Sequence, residues 1–107
     1  MKLILAIVSN EDSNNVQNNL NKANLFNTKL STKGGFLQEK NVTFIIGLKE
    51  EKVEQALDII KKNSKTRTQL IPNNILNEFD AYYSLSSEIS VGGATVFILD
   101  VEQFYKL

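Results

Sequence analysis

Two segments of the chain are apolar at nearly every position, and a third alternates between apolar and polar residues. Residues 2–8 (KLILAIV) and 42–48 (VTFIIGL) would form strands that are hydrophobic on both faces. Residues 25–33 alternate, as expected of a strand. One face of that strand would carry Phe26, Thr28, Leu30 and Thr32.

Two other segments follow a helical period. Residues 11–24 carry a narrow stripe of Val16, Leu20 and Ala23 on an Asn-rich surface, and Ser9 with Asp12 forms an S-x-x-D capping pattern before it. Residues 50–63 carry a fuller stripe, made by Val53, Ala56, Leu57 and Ile60. A basic run at the end of this helix is interpreted as a solvated helix end and consists of Lys61, Lys62, Lys65 and Arg67.

The remainder is a long segment without a clean period, followed by a strand. Residues 64–87 include the only proline, and a connection of this length is often functional. Residues 88–101 are predicted to form one long strand that contains Gly92-Gly93. The order β-α-β-β-α-β predicts one domain over residues 1–107. Its fold class is α+β, ferredoxin-like, with an antiparallel four-stranded sheet and both helices on one face.

The two-sided strands favour assembly with other copies of the chain. Two helices can cover only one face of such a sheet, whereas at least three predicted strands are apolar on both faces. An apolar face left in water would be larger than monomers usually tolerate. Self-association is therefore the favoured interpretation, and the alternative is that residues 64–87 fold back over the sheet.

Composition narrows the function classes. Twelve basic and twelve acidic residues give no net charge, which argues against binding DNA, RNA or membrane surfaces but not against a small anion. The chain has no cysteine and no histidine, so disulfides, thiol nucleophiles, Cys/His metal sites and a Ser-His-Asp triad are excluded. Glu50, Glu51 and Glu54 lie in the first turns of a predicted helix, where they suit the helix dipole. We therefore predict no catalytic residues, no metal site and no cofactor.

The start of the chain shows no signal peptide pattern, and no apolar run is long enough to span a membrane. A cytoplasmic protein is expected.

The turn Gly34-Gly35-Phe36-Leu37 is the first candidate for ligand binding. Its simplest interpretation is a hairpin turn. However, a solvent-facing turn needs neither Phe36 nor Leu37, and Gly-Gly lets backbone N–H groups approach an anion. Asn41 could pair with an adenine edge or be a plain turn residue. Thr28 could bond a phosphate or simply favour a strand.

Glycines inside predicted strands are the second candidate. Gly47 suggests a bulge or something that approaches the backbone closely. Gly92-Gly93 suggests a bulge or a bend that admits a neighbouring chain or a ligand.

These segments resemble the PII-like cyclic-di-AMP receptor family. The resemblance lies in MKLILAIV, TKLSTKGGFL, the run Asn41-Val42-Thr43-Phe44, VEQAL and VGGATVFILDVEQF. It implies a homotrimer with cyclic di-AMP bound between subunits, a signalling role without catalysis, and an unknown downstream protein. It also implies that the long segment, residues 64–87, responds to the ligand. The ligand-binding residues that it implies are Thr28, Gly35, Phe36, Leu37, Asn41, Gly47 and Phe97.

Two residues depart from the pattern of this family. Phe26 stands where an Arg is common, and Lys106 stands where a Gln is common. Another PII-like function therefore remains an alternative, either binding of a different nucleotide such as ATP or action through protein contacts alone. A small enzyme of the ferredoxin-like class is a third hypothesis, for which the sequence supplies no acid–base pair.

Overall fold

The computed structural model describes residues 1–30, 41–70 and 88–107. Their elements, in chain order, are β1 (Lys2–Ser9), α1 (Asn10–Lys22), β2 (Thr28–Leu30), β3 (Asn41–Leu48), a 3-10 turn (Glu50–Lys52), α2 (Val53–Asn63), β4 (Arg67–Leu70), β5 (Glu88–Val91) and β6 (Ala94–Asp100).

Strands β2, β3, β1 and β6 form the main sheet in that order, and every neighbouring pair is antiparallel. Both helices pack on the same face, because their apolar stripes and the even-numbered residues of β1 and β3 belong to one buried core. The predicted ferredoxin-like α+β fold is confirmed.

The core lies between the helices and what we call the helix face of the sheet. Alternation along each strand directs every second side chain there. The fully buried members of this core include Ile4, Ala6, Phe44, Ile46, Val16, Leu20 and Ala56. The predicted stripes of α1 and α2 therefore do face the sheet.

The helix boundaries differ from the predicted ones by at most three residues, and α2 ends at Asn63 as predicted. The predicted helix over 50–63 begins with the 3-10 turn. Helix α1 begins at Asn10 and its N-cap is Ser9, but the Ser9 side chain makes no capping hydrogen bond to the backbone. Its hydroxyl instead donates to Asp12 Oδ2 at 2.9 Å. The S-x-x-D pattern thus marks the start of the helix, but its two side chains hydrogen-bond to each other and do not cap the backbone.

The predicted strand over 88–101 is divided. Gly92 and Gly93 have φ angles of 86° and 82° and separate β5 from β6. Strand β5 pairs with β4 in a second, two-stranded sheet, while β6 joins the main sheet beside β1. The prediction of one continuous strand was wrong, because two successive left-handed residues redirect the chain. Strand β4 itself was not predicted.

Candidate ligand site

The face of the main sheet opposite the helices is here called the open face. Cross-strand partners and alternate residues along each strand share a face. The open face therefore consists of Leu3, Leu5, Ile7, Thr28, Leu30, Asn41, Thr43, Ile45, Gly47, Thr95, Phe97 and Leu99. Ser9, at the end of β1, is paired with Asn41, but its hydroxyl donates to Asp12 of α1.

Thr28 and Phe97 lie at opposite edges of this face in one cross-strand row. Thr28 is opposite Ile45, Ile45 is opposite Leu5, and Leu5 is opposite Phe97. Three strand spacings separate the two ends of the row, or about 14 Å. A small ligand can contact both residues of one chain only if it lies across all four strands of the sheet.

Asn41 and Gly47 lie on the same strand, β3, on either side of Ile45. Asn41 is the first residue of β3 and is paired with Ser9, the last residue of β1. Gly47 is exposed, and among the described residues no atom lies within 4 Å of the position that a Cβ would occupy there. Nothing in the described part of this chain requires a glycine at that position, so the space is open to another molecule.

The rim of the open face is apolar and accessible. Phe97 is 54% exposed, and Leu30 and Leu99 are also exposed. Phe26, which precedes β2, is 87% exposed. The inner residues Leu3, Leu5, Ile7 and Ile45 are only partly buried.

The open face is electrically neutral. None of its described strand residues is charged, and its polar groups are hydroxyls and one amide. An anion bound here would be held by hydroxyl, amide and backbone donors, or by charges from outside the described strands. The ion pair between Lys2 and Asp100 lies on the other side of the sheet, and its hydrogen bond lowers the pKa of Asp100 and raises the pKa of Lys2.

Three of the predicted ligand-binding residues lie outside the described residues. These are Gly35, Phe36 and Leu37. The connection that carries them leaves β2 after Leu30 and enters β3 at Asn41. The structure thus places Thr28, Asn41, Gly47 and Phe97 on one face, with Thr28 and Asn41 near the two ends of that connection.

A separate cavity of about 440 Å³ lies on the helix side of the sheet. It is lined by residues at the end of α2, by the segment that follows α2 and by the start of β6. Of the predicted ligand-binding residues that the structure describes, Thr28, Asn41, Gly47 and Phe97, none lines it.

One polar cluster was not predicted as a site. The Arg67 guanidinium donates from Nη1 to Asp12 Oδ2 at 3.2 Å and from Nη2 to Asp12 Oδ1 at 3.0 Å. The interpretation of the basic run as a solvated helix end is wrong for Arg67, which begins β4 and pairs with Asp12. The sequence signal was the S-x-x-D pattern, whose carboxylate accepts both a hydroxyl and this guanidinium.

In the described residues, no group of three or more acidic side chains could hold a metal ion. No described helix is long and apolar enough to cross a membrane.

Two comparisons with known proteins found a matching family model and a similar fold. The family model described as "Cyclic-di-AMP receptor" matches residues 1–107, the whole chain. The chain is also similar to the crystal structure of a functionally unknown protein from Pediococcus pentosaceus ATCC 25745. The two are 42% identical over 99% of this chain and 96% of that chain, with a TM-score of 0.75.

Proposed function

The chain belongs to the cyclic-di-AMP receptor family, and we propose that it is a non-enzymatic signalling protein that binds cyclic di-AMP between the subunits of a homotrimer. The observation that carries this proposal is the common location of Thr28, Asn41, Gly47 and Phe97 on the open face. These residues come from three different strands, yet all lie on the face that the chain's own helices leave uncovered.

Burial of apolar surface supports assembly through this face. Its centre is hydrophobic, and its exposed rim includes Leu30, Phe97 and Leu99. Monomeric proteins rarely leave a continuous apolar patch of this kind in water. The described part of residues 64–91 pairs with itself in the β4–β5 sheet and not with the main sheet. We propose other copies of the chain as the cover of the open face.

The distance across the sheet supports a site shared between subunits. Thr28 and Phe97 of one chain are about 14 Å apart, at opposite sheet edges. If the β2 edge of one copy meets the β6 edge of the next, Thr28 of the first lies near the neighbouring copy's Phe97. A ligand bound between these two edges could contact both residues without spanning the four strands of one sheet.

Each residue has a chemical role in the proposed site. The Thr28 hydroxyl and the backbone N–H groups near Gly35 would donate to the phosphates. The Asn41 amide can donate to and accept from an adenine edge. Phe36, Leu37 and Phe97 would pack against the bases, and Gly47 leaves room beside β3.

The segment over 64–87 is the proposed output of the sensor. We propose that it changes conformation when the site is filled and then engages a downstream protein. The support is its place in the chain directly after α2, where its described residues Arg67–Leu70 form β4 and pair with β5.

Two measurements test this function. Isothermal titration calorimetry with cyclic di-AMP should show saturable binding, and light scattering at micromolar concentration should give three times the chain mass of 12.0 kDa. Saturable binding of ATP but not of cyclic di-AMP would mean that ATP is the ligand and cyclic di-AMP is not. A mass of 12.0 kDa with and without ligand would refute the trimer.

Site variants locate the binding. Asn41→Ala should weaken cyclic di-AMP binding about tenfold or more, because a two-bond base contact contributes about 1–3 kcal/mol. Thr28→Val keeps the side-chain shape, removes the hydroxyl, and should weaken binding similarly. Asn18→Ala on the exposed surface of α1 is the matched control and should bind like the parent. Parental affinity in Asn41→Ala would refute the assignment of Asn41.

A further inference from the structure

A joint formed by Ser9, Asp12 and Arg67 connects α1 to β4. Asp12 accepts a two-bond contact from the Arg67 guanidinium at 3.0 and 3.2 Å and a third hydrogen bond from the Ser9 hydroxyl at 2.9 Å. A further contact of 3.3 Å joins Arg67 to Glu11. Paired N–H donors on a carboxylate fix both distance and orientation, so the Asp12 contact holds Arg67 in one geometry.

Burial distinguishes Asp12 of this ion pair from both partners of the Lys62–Asp58 pair. The Asp12 side chain is 8% exposed, whereas those of Lys62 and Asp58 are 67% and 56% exposed. Exposed pairs contribute little, but a buried carboxylate that loses its partner is left with an uncompensated charge. Removing Arg67 should therefore have a larger effect than removing Lys62.

Arg67 also begins the arm of the molecule, which we define as β4 (Arg67–Leu70) and β5 (Glu88–Val91). Arg67 is paired with Val91 at the base of this arm. At Gly92, an added Cβ would collide with the Lys65 carbonyl and lie 2.7 Å from Arg67 Nη1. The base of the arm therefore packs closely around the Arg67 guanidinium.

On its other side, the joint touches the proposed ligand site. Ser9 is the cross-strand partner of Asn41, and both residues lie at the same end of the sheet. Asn41 is also where the connection from β2 enters β3. Contacts thus run from Asn41 to Ser9, from Ser9 to Asp12, and from Asp12 to Arg67 at the base of the arm.

We propose that Arg67 is the positioning residue that anchors the arm and that the joint couples occupancy of the site at Asn41 to the conformation of the arm. The coupling rests on the proposed function, whereas the anchoring does not. A ligand that shifts the Asn41 end of β3 would shift Ser9 and alter the geometry of the Asp12 carboxylate that holds Arg67. The joint would then bias the arm between two arrangements.

The first experiment measures anchoring without ligand. Hydrogen–deuterium exchange of β4 and β5 is compared between the parent, Arg67→Gln, Arg67→Lys and the control Lys62→Gln. We expect exchange in both strands to be about tenfold faster in Arg67→Gln. Arg67→Lys keeps the charge beside Asp12 but loses the two-bond geometry, so it should fold and show a smaller increase. Parental exchange in both Arg67 variants would overturn the anchoring.

The second experiment measures coupling at saturating cyclic di-AMP, with occupancy checked by calorimetry. In the parent, ligand should change exchange in β4 and β5 at least about threefold. Ser9→Ala and Arg67→Lys should bind ligand yet lose most of that change, which a purely structural role would not produce. An unaltered ligand effect in both variants, or none in the saturated parent, would overturn the coupling.

Failure of the proposed function would be separately visible. If calorimetry shows no binding of cyclic di-AMP to the parent, the proposed function and the coupling are both overturned. The exchange measurement without ligand still decides whether Arg67 anchors the arm.

Discussion

The two faces of the main sheet are built from the same strands but meet different surroundings. On the helix face, Ile4, Phe44 and Ile46 are completely buried. Leu5 and Ile45, which are the next residues after Ile4 and Phe44, point to the open face and are only partly buried. Phe97 on the same face is 54% exposed. The two faces are similarly apolar, and the helices cover only one.

The difference shows that hydrophobicity alone does not reveal what buries a surface. The helix face is closed by segments of the same chain, so its contribution to stability should not depend on protein concentration. The open face is an assembly surface in the proposed function, so its contribution should depend on concentration. The following predictions use that contrast.

The largest effect is expected from a charge at the centre of the open face. Ile45→Glu would bury an unpaired carboxylate in any contact between copies. We expect the mass from light scattering to fall to that of one chain, 12.0 kDa, and the thermal midpoint to lose its dependence on concentration. Gln55→Glu adds the same charge at an exposed position of α2 and should leave the mass unchanged. An assembled Ile45→Glu would contradict the role of this face.

A large effect is also expected from a cavity on the helix face. Phe44→Ala should lower the free energy of unfolding by about 3–5 kcal/mol, because Phe44 is fully buried. The loss, measured by chemical denaturation, should be equal at low and high protein concentration. Thr43→Ala changes the neighbouring residue on the open face and should cost about 1 kcal/mol or less. Equal costs for the two variants would remove the contrast between the faces.

A smaller effect is expected at Gly47. Within one chain an added Cβ meets open space, so Gly47→Ala should not destabilise the isolated subunit. If another subunit or the ligand occupies that space, the methyl group should weaken cyclic di-AMP binding about tenfold. Calorimetry together with the thermal midpoint separates these effects. Unchanged affinity would mean that the space beside Gly47 is not part of the site.

The smallest effect is expected from the exposed pair Lys2–Asp100. Its hydrogen bond lowers the pKa of Asp100, so the pair stabilises the fold above the ordinary carboxyl pKa, and the stabilisation is lost as pH falls through the lowered value. As the pH falls below about 4, the ordinary carboxyl pKa, the parent should lose slightly more stability than Asp100→Asn. Lys2→Gln should remove the same part of the pH dependence. Identical acid unfolding of all three proteins would show that the pair contributes nothing.

Much of the fold follows from local patterns, because periodicity survives wherever an element is long. The stripe of α2 and the two-sided apolar pattern of β1 and β3 predict where those elements lie. Strand β4 has four residues, RTQL, which is too short for a period to appear. Its partner β5 was hidden in a longer apolar run, and only the left-handed conformation of Gly92 and Gly93 reveals the break.

The candidate site could be predicted only in part. Alternation indicates that Asn41 and Gly47 share a face, but only the strand order places Thr28 and Phe97 on that face. The partner of Asp12 could not be predicted, because Arg67 lies 55 residues away in the chain. The S-x-x-D pattern has a sufficient local explanation as a helix cap, and tertiary structure gives its carboxylate a different role.

The placement of Thr28 and Phe97 at opposite edges has a consequence for mixtures of variants. In the proposed homotrimer each chain would contribute Thr28 to the site shared with one neighbour and Phe97 to the site shared with the other. Every site would then contain both residues. Two variants, one defective at each edge, would then complement each other when they are mixed. Some shared sites would combine the two intact halves, while others would combine the two damaged ones.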